Sequence, residues 1–278
     1  MLGTTVGANA ADGVRAIPVA VQLWSVRNAV KADFEGTLRS LKAMGFDGVE
    51  FAGDYGPYAE NPGQLKALLE DIGLGIAGAH TATDLLRDDK IASTLAFHSA
   101  LGTPYLIIPW DERAWDDEGV FALADELNAL DSRLQKHDLR VGYHNHADEM
   151  GSFGDATYWD ALAANTSEAV ILQQDVGWTT YAGRDPAALV RRYPGRTVTT
   201  HFKVKPPADG SPVEPFVGQG ATDWLDLLRA TIEAGGTRWL IVEQEDYPEG
   251  MTPLQCVEVS LRGLEAVLSQ TASRGNKP

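Results

Sequence analysis

Eight short apolar runs recur through this chain, at residues 19–23, 48–51, 75–79, 105–109, 140–143, 170–172, 197–202 and 239–242, and stretches with helical spacing lie between them. Phe34, Leu38, Leu41 and Met44 recur every three or four residues; so do Leu65, Leu68, Leu69 and Ile72, and Phe121, Leu123, Leu127, Leu130 and Leu134. Strand and helix therefore alternate from end to end. Runs that are apolar throughout belong to strands covered on both faces, so the sheet is parallel and wrapped by helices. Eight such units predict an α/β fold, a single (β/α)8 TIM barrel of about 250 residues, and the 278 residues present leave room for tails. An open doubly wound sheet is the alternative. Against it, no Gly-x-Gly-x-x-Gly follows the first run; Trp24-Ser25 leads instead to Arg27 and a helix.

The punctuation agrees with the periodicity. Gly45, Gly73 and Gly102 follow helical stretches, Asp185-Pro186 opens one, and Thr252-Pro253-Leu254-Gln255 has the hydroxyl, proline and glutamine of a capping box. Residues 1–16 and 271–278, small and polar, are expected to be flexible tails around a catalytic barrel over 17–270. The formal charge of -16 opposes a phosphate backbone or an anionic membrane, so neither nucleic acid nor membrane is an expected partner. No apolar window reaches the ~18 residues of a membrane span and no signal-like leader opens the chain, which predicts a soluble, cytoplasmic protein. Cys256 lies in a helical pattern and is expected to be a buried, inert thiol.

A barrel of this kind builds its site at the C-terminal ends of its strands. The residues there are Trp24, Glu50, His80, Trp110, His144 with His146, Asp175, His201 and Glu243. Four of the six histidines fall at these ends, while His98 and His137 fall in helical segments and are read as surface residues. Imidazole mixed with carboxylate suits a borderline divalent ion such as Mn²⁺, Co²⁺, Zn²⁺ or Fe²⁺, whereas an all-oxygen set would suggest Mg²⁺ or Ca²⁺. His144, Asp175, His201 and Glu243 make a plausible ligand set. His144 and His146 share one strand face about 7 Å apart, so only one need touch the ion. Polar groups that merely hydrate the barrel mouth are the bland alternative.

At this point a resemblance becomes specific. Gln22-Leu23-Trp24-Ser25-Val26-Arg27, the segment 45–53, Gly142-Tyr143-His144-Asn145-His146, Asp175-Val176-Gly177-Trp178, His201-Phe202-Lys203, Gly218-Gln219-Gly220 and Val242-Glu243-Gln244 resemble, in order and spacing, the xylose-isomerase-like TIM-barrel group of sugar phosphate isomerases and epimerases, in its Tyr-His-Asn-His branch. The likeness spans residue 19 to about 268. It implies a divalent metal, manganese first with zinc, cobalt, iron or magnesium as the other candidates, held at His144, Asp175, His201 and Glu243. It also implies a small-molecule sugar substrate and an oligomer, dimers and tetramers being common in the group. Relatives have Glu where this chain has His144. In epimerizing relatives the two metal-bound glutamates exchange the substrate proton from opposite faces, so Glu243 is here the surviving half of that pair. Val204, Gln219 and Glu245 are further departures, where Asp, Glu and Asp are common.

A metal on a substrate carbonyl and the adjacent hydroxyl stabilises the enediolate left when the α-proton departs. Isomerization, epimerization and β-elimination share that intermediate. The expected activity is a metal-dependent isomerase or epimerase of a keto-sugar or sugar derivative, with Glu243 as base, His146, His80, Glu50 or Glu149 as its partner or the acid, and Lys203 neutralising an oxyanion or a substrate anion. Glu50 and Glu149 could equally orient a ligand histidine. Trp24, His80, Trp110, Glu149 and Trp178 are expected around the sugar. Three rivals stand: a lyase or dehydratase of a keto-sugar, keto-inositol or 3-keto-glycoside, towards which His144 pushes; a metal-dependent phosphoesterase, disfavoured by the charge; and a non-catalytic sugar-binding protein.

Overall fold

The computed structural model describes residues 17–275 apart from Ala208 and Pro212, with side chains as far as Thr271. Its strands are β1 (Val19–Gln22), β2 (Gly48–Phe51), β3 (Gly75–His80), β4 (Tyr105–Ile108), β5 (Arg140–His144), β6 (Ser152–Phe153), β7 (Ala156–Thr157), β8 (Ile171–Asp175), β9 (Thr199–Phe202) and β10 (Trp239–Val242). Eight of them close a parallel barrel in the order β1-β2-β3-β4-β5-β8-β9-β10, and β6 and β7 form a small hairpin outside it. The expected barrel is therefore the observed one, each run of the sequence becoming one stave. The sixth run differs in extent: its strand continues through Gln173 and Gln174 to Asp175, because those polar side chains find partners inside the protein.

The helices are α1 (Arg27–Ala32), α2 (Phe34–Met44), α3 (Pro62–Ile72), α4 (Lys90–Leu101), α5 (Gly119–Leu134), α6 (Tyr158–Asn165), α7 (Val176–Tyr181), α8 (Pro186–Arg192), α9 (Trp224–Glu233) and α10 (Pro253–Gly275). Their stop and start signals act as read: Gly45, Gly73 and Gly102 close α2, α3 and α4 in the left-handed region. The Asp185 carboxylate accepts from Ala187 and Ala188 at the head of α8. Thr252 and Gln255 exchange both bonds of the capping box before α10. That helix continues through Thr271, where a tail was expected, to Gly275. The tail read at 1–16 and residues 276–278 lie outside the described residues. Among the described residues, no helix is long and apolar enough to cross a membrane.

Inside the barrel, strand alternation stacks residues in layers. The floor is apolar: Trp239 lies across it with Ala20, Ala77 and Ile241, beside Ile107, Ile171 and Val198. Gly48 and Gly75 make room for the indole, since a Cβ on either would stand 2.8 and 2.9 Å from the Trp239 ring. Above the floor the inward side chains turn polar at Gln22, Glu50, Gln173 and Thr199, and above these come the strand ends. The dry floor and the helix-covered outer face carry the stability. The polar layers carry the site.

Candidate metal centre

His144, Asp175, His201 and Glu243 come from four consecutive staves, β5, β8, β9 and the residue after β10, so one turn of the barrel mouth brings them together although 99 residues of chain separate the first from the last. Each offers a ligand atom within 4.8 Å of the others, and all four are buried; His80 forms a second such group with His144 and His201. The rings pack closely: His80 stacks on His201 at 5.2 Å between centroids, and His144 stands 4.6 Å from His201.

Beneath them runs a hydrogen-bond network that fixes how each imidazole faces. The Glu50 carboxylate is fully buried and accepts from Gln22 Nε2 (2.7 Å), His201 Nε2 (2.6 Å) and Gln173 Nε2 (2.7 Å). The Gln173 amide nitrogen also donates to Thr199 Oγ1 at 2.8 Å. Because an ionised carboxylate only accepts, Gln173 must turn its NH₂ towards Glu50 and its carbonyl the other way. That carbonyl lies 3.0 Å from His144 Nδ1 and 2.8 Å from His80 Nε2, so both ring nitrogens carry hydrogen and donate to it. His144 consequently presents a bare Nε2, the nitrogen 3.7 Å from Asp175 Oδ2. His201, donating to Glu50 through Nε2, points Nδ1 at Glu243 Oε2, 3.0 Å away.

The charges do not balance. Asp175, Glu243 and Glu245 surround the Lys203 ammonium, which lies 3.2 Å from Asp175, 3.2 Å from Glu243 and 2.5 Å from Glu245, and Glu50 joins the cluster through His201. Burial and the neighbouring imidazoles push His144 far down and His80 down, so both are neutral. His201, against burial, is raised to about 10 by Glu50 and Glu243. Four carboxylates against one ammonium and one imidazolium leave two negative charges uncompensated in a buried site, where such charge is costly. The strain shows at Asp175: burial raises its carboxyl to about 6, and its Oδ2, fully buried, accepts no hydrogen bond. A buried carboxylate oxygen that takes no hydrogen bond and meets only the Lys203 ammonium, a bare imidazole nitrogen and an excess of negative charge in one place fit a divalent cation, which would displace the proton from His201 Nδ1.

The remaining expected residues divide into wall and support. Trp24 and Trp110 stand about half exposed at the mouth, and Trp178 carries Lys203 and Lys205 over its ring, 5.2 and 4.8 Å from the centroid. His146 fits between Trp110 and Trp178, with centroids 5.1 and 5.5 Å away. Its Nδ1 and the Trp178 Nε1 are buried atoms without a hydrogen-bond partner among the described residues. Glu149, expected beside the substrate, is instead fully buried: it accepts from the Tyr143 hydroxyl at 2.9 Å and the His146 backbone N–H at 2.8 Å, and burial raises it to about 7. It anchors the loop after β5 and has no oxygen to spare. Glu50, expected as a proton carrier, is likewise saturated and holds His201 from below. His98 is not on the surface but buried in α4, bonded to Thr103 and Tyr55, where burial lowers it to about 4; its spacing from Ile91 and Leu95 puts it on the apolar face. Cys256 is buried and free as expected.

Gln173 and Gln22 escaped a reading that looked only just beyond each apolar run. Their signal was the strand period: Gln173 is two residues before Asp175, and Thr199 two before His201, so each must face inward beneath its neighbour.

The model of the xylose isomerase-like TIM barrel family matches residues 38–266. The chain belongs to that family. An inosose dehydratase of Clostridium botulinum (strain Eklund 17B) is 23% identical over 265 residues, covering 80% of this chain and 85% of the relative. Among solved structures, a sugar phosphate isomerase/epimerase from Parabacteroides distasonis superposes with a TM-score of 0.74 at 21% identity, over 95% of this chain and 96% of the other. The IOLI protein, crystallised with a bound zinc atom, does so with a TM-score of 0.67 at 14% identity over 92% and 99%. At these identities the structural likeness carries the fold.

Proposed function

We propose that this chain is a divalent-metal-dependent lyase that eliminates a β-substituent from a keto-sugar or keto-inositol. His144 Nε2, Asp175, Glu243 and, once its proton is displaced, His201 Nδ1 would hold the cation, which would supply Lewis-acid stabilisation for negative charge on a substrate oxygen. The observation that carries elimination over isomerization or epimerization is the state of His144. Its Nδ1–H is committed to Gln173 and its Nε2 to the cluster, so residue 144 cannot act as a second base facing Glu243 across the substrate. The name of the dehydratase relative points the same way.

Glu243 is the tetrad carboxylate that keeps some contact with the open mouth, 5% exposed against none for Asp175. It takes the proton α to the carbonyl. The same carboxyl then returns that proton to the departing oxygen, so one group serves both halves of a syn elimination. Lys203, fixed by three carboxylates, faces the developing oxyanion with a charge that cannot swing away. His146 Nδ1 and Trp178 Nε1 bind substrate hydroxyls, and the tryptophans shield the ring from water.

Incubating the manganese-loaded protein with a keto-inositol and a 3-keto-glucoside in deuterated water tests this. The expected result is a new unsaturated-ketone absorbance, lost in Glu243→Gln. Recovery of deuterated or epimerized substrate without any unsaturated product would return the reaction to the isomerase or epimerase class.

A further inference from the structure

The tetrad occupies the half of the barrel mouth formed by β5, β8, β9 and β10. The other half is hollow. Between the loops after β2 and β3, the end of β4 and one face of α4 lies a cavity of about 860 Å³, the size that takes a drug-sized molecule. His80 is common to both: its Nε2 bonds to Gln173 below the cluster, its ring stacks on His201, and its side chain lines the cavity. A substrate over the tetrad therefore has the cavity at its flank.

The cavity wall says what belongs there. Small residues, Ala52, Gly53, Ala82 and Ala96, open the space, and Tyr55 with Phe97, 4.6 Å apart, gives it an aromatic side. Leu85 sits on the lining 39% exposed. The hydroxyls on the wall are already used: Thr81 donates to Ala79 O, Ser93 to Lys90 O, Thr94 to Leu85 O, and Tyr55 pairs with His98. The lining holds one carboxylate, Glu60, and neither lysine nor arginine, so a phosphate would find no counter-charge. A second sugar would forfeit its hydrogen bonds to water with few offered in return. An uncharged apolar or aromatic group forfeits nothing.

Resting on the elimination reading above, we propose that this cavity seats an apolar group carried on the departing oxygen of the substrate, an aryl or alkyl aglycone, so that the reaction ejects a phenol or alcohol rather than water. The balance is that of a β-elimination: the C–H bond α to the ketone breaks, its electron pair forms the C=C bond, the β C–O bond breaks, and the departing oxygen leaves with the proton. No oxidant or reductant is consumed. Expulsion of water alone needs no chamber of this size.

The test compares phenyl and methyl 3-keto-β-glucosides with a keto-inositol, in the wild type and in Ala96→Trp, which fills the cavity from an exposed helical position. A methylene-sized difference in an apolar pocket is worth about 10- to 200-fold, so the phenyl-to-methyl ratio of kcat/KM should exceed the ratio of the uncatalysed eliminations, which the better phenoxide leaving group sets, by at least tenfold. In Ala96→Trp the ratio should fall towards the uncatalysed one, with circular dichroism and cation binding showing that the barrel is intact. A wild-type ratio no larger than the uncatalysed one, or faster elimination from the keto-inositol, would overturn the proposal while leaving the lyase reading in place. Should no substrate be eliminated, fluorine NMR with 4-fluorophenyl β-glucoside still decides: binding lost in Ala96→Trp upholds the cavity while the lyase reading fails, and no binding to the wild type sinks the cavity proposal.

Discussion

Gln173 reaches no substrate in this arrangement, yet replacing it by leucine should weaken cation binding more than most changes near the mouth. Its carbonyl accepts from His144 Nδ1 at 3.0 Å and His80 Nε2 at 2.8 Å, and its amide donates to Glu50 Oε1 at 2.7 Å. Gln173→Leu leaves the buried His144 N–H, the part-buried His80 N–H and one carboxylate oxygen short of a partner, at about 1–3 kcal/mol each before relaxation. Freed from the carbonyl, His144 can move its hydrogen to Nε2, the nitrogen that faces Asp175. Partners of this kind are typically worth about 10- to 100-fold in metal affinity, which corresponds to roughly 1.4–2.7 kcal/mol. Calorimetric titration of Mn²⁺ and Zn²⁺ reads the affinity, and ¹⁵N shifts of the metal-free protein read the tautomer. Gln173→Glu retains an acceptor for both histidines and should keep the His144 hydrogen on Nδ1, although it sets a carboxylate against Glu50. A wild-type His144 with its hydrogen on Nε2, or a folded Gln173→Leu that binds either ion within twofold of the wild type, would refute this role for Gln173.

The other predictions concern charge, pH and packing. Asp175→Asn should abolish cation binding yet raise the melting temperature of the metal-free protein, since burial already disfavours that carboxylate; a variant that keeps full metal occupancy, or melts lower without metal, contradicts it. His98 is held at about 4 when folded against about 6.5 when unfolded. Its neutral form therefore contributes fully above pH 6.5, and about 3 kcal/mol is lost as pH falls from there to about 4. In urea denaturation across that window, the stability difference between wild type and His98→Gln should shrink by that amount, and a constant difference would refute it. Gly263→Ala would set a Cβ 1.8 Å from the Val217 carbonyl and should cost about 3 kcal/mol or more. Gly63→Ala, with nothing within 4 Å, should cost nothing by the same measurement.

The barrel was legible because it rests on a repeated pattern: each apolar run had to be covered on both faces, and eight covered strands have one compact closure. The tetrad was legible for a related reason, since closure alone brings successive strand ends together. Less visible was everything that depends on which neighbour a polar group chooses. Glu50 lies in a strand end like any candidate acid, and only the contacts with Gln22, Gln173 and His201 show that its oxygens are spent. Glu149 follows the Tyr-His-Asn-His strand by three residues, but a short helical turn folds it back under the loop onto Tyr143. His98 needed the phase of its helix, not merely its presence in one. The cavity had no sequence signal at all, because alanines and a glycine from two loops and a helix make it by what they leave empty.

These omissions share a physical consequence for how the site is built. The expected ligands all come from the second half of the chain, which suggests a first half that merely completes the barrel. The contacts say otherwise. Gln22 from β1 and Glu50 from β2 hold His201 and Gln173; Gln173 in turn holds His144 from β5 and His80 from β3, and Thr199 from β9 takes its remaining N–H. A ring of hydrogen bonds thus crosses the barrel one layer below the metal centre, and a ligand histidine cannot turn without breaking a bond to a strand on the opposite side. Such a ring is stiff because every member has its partners and all but His80 are buried. It also explains why the tetrad can tolerate an imbalance of two charges: the side chains that would relax it by rotating are tied from beneath, so the unfavourable field is kept for the cation whose binding relieves it.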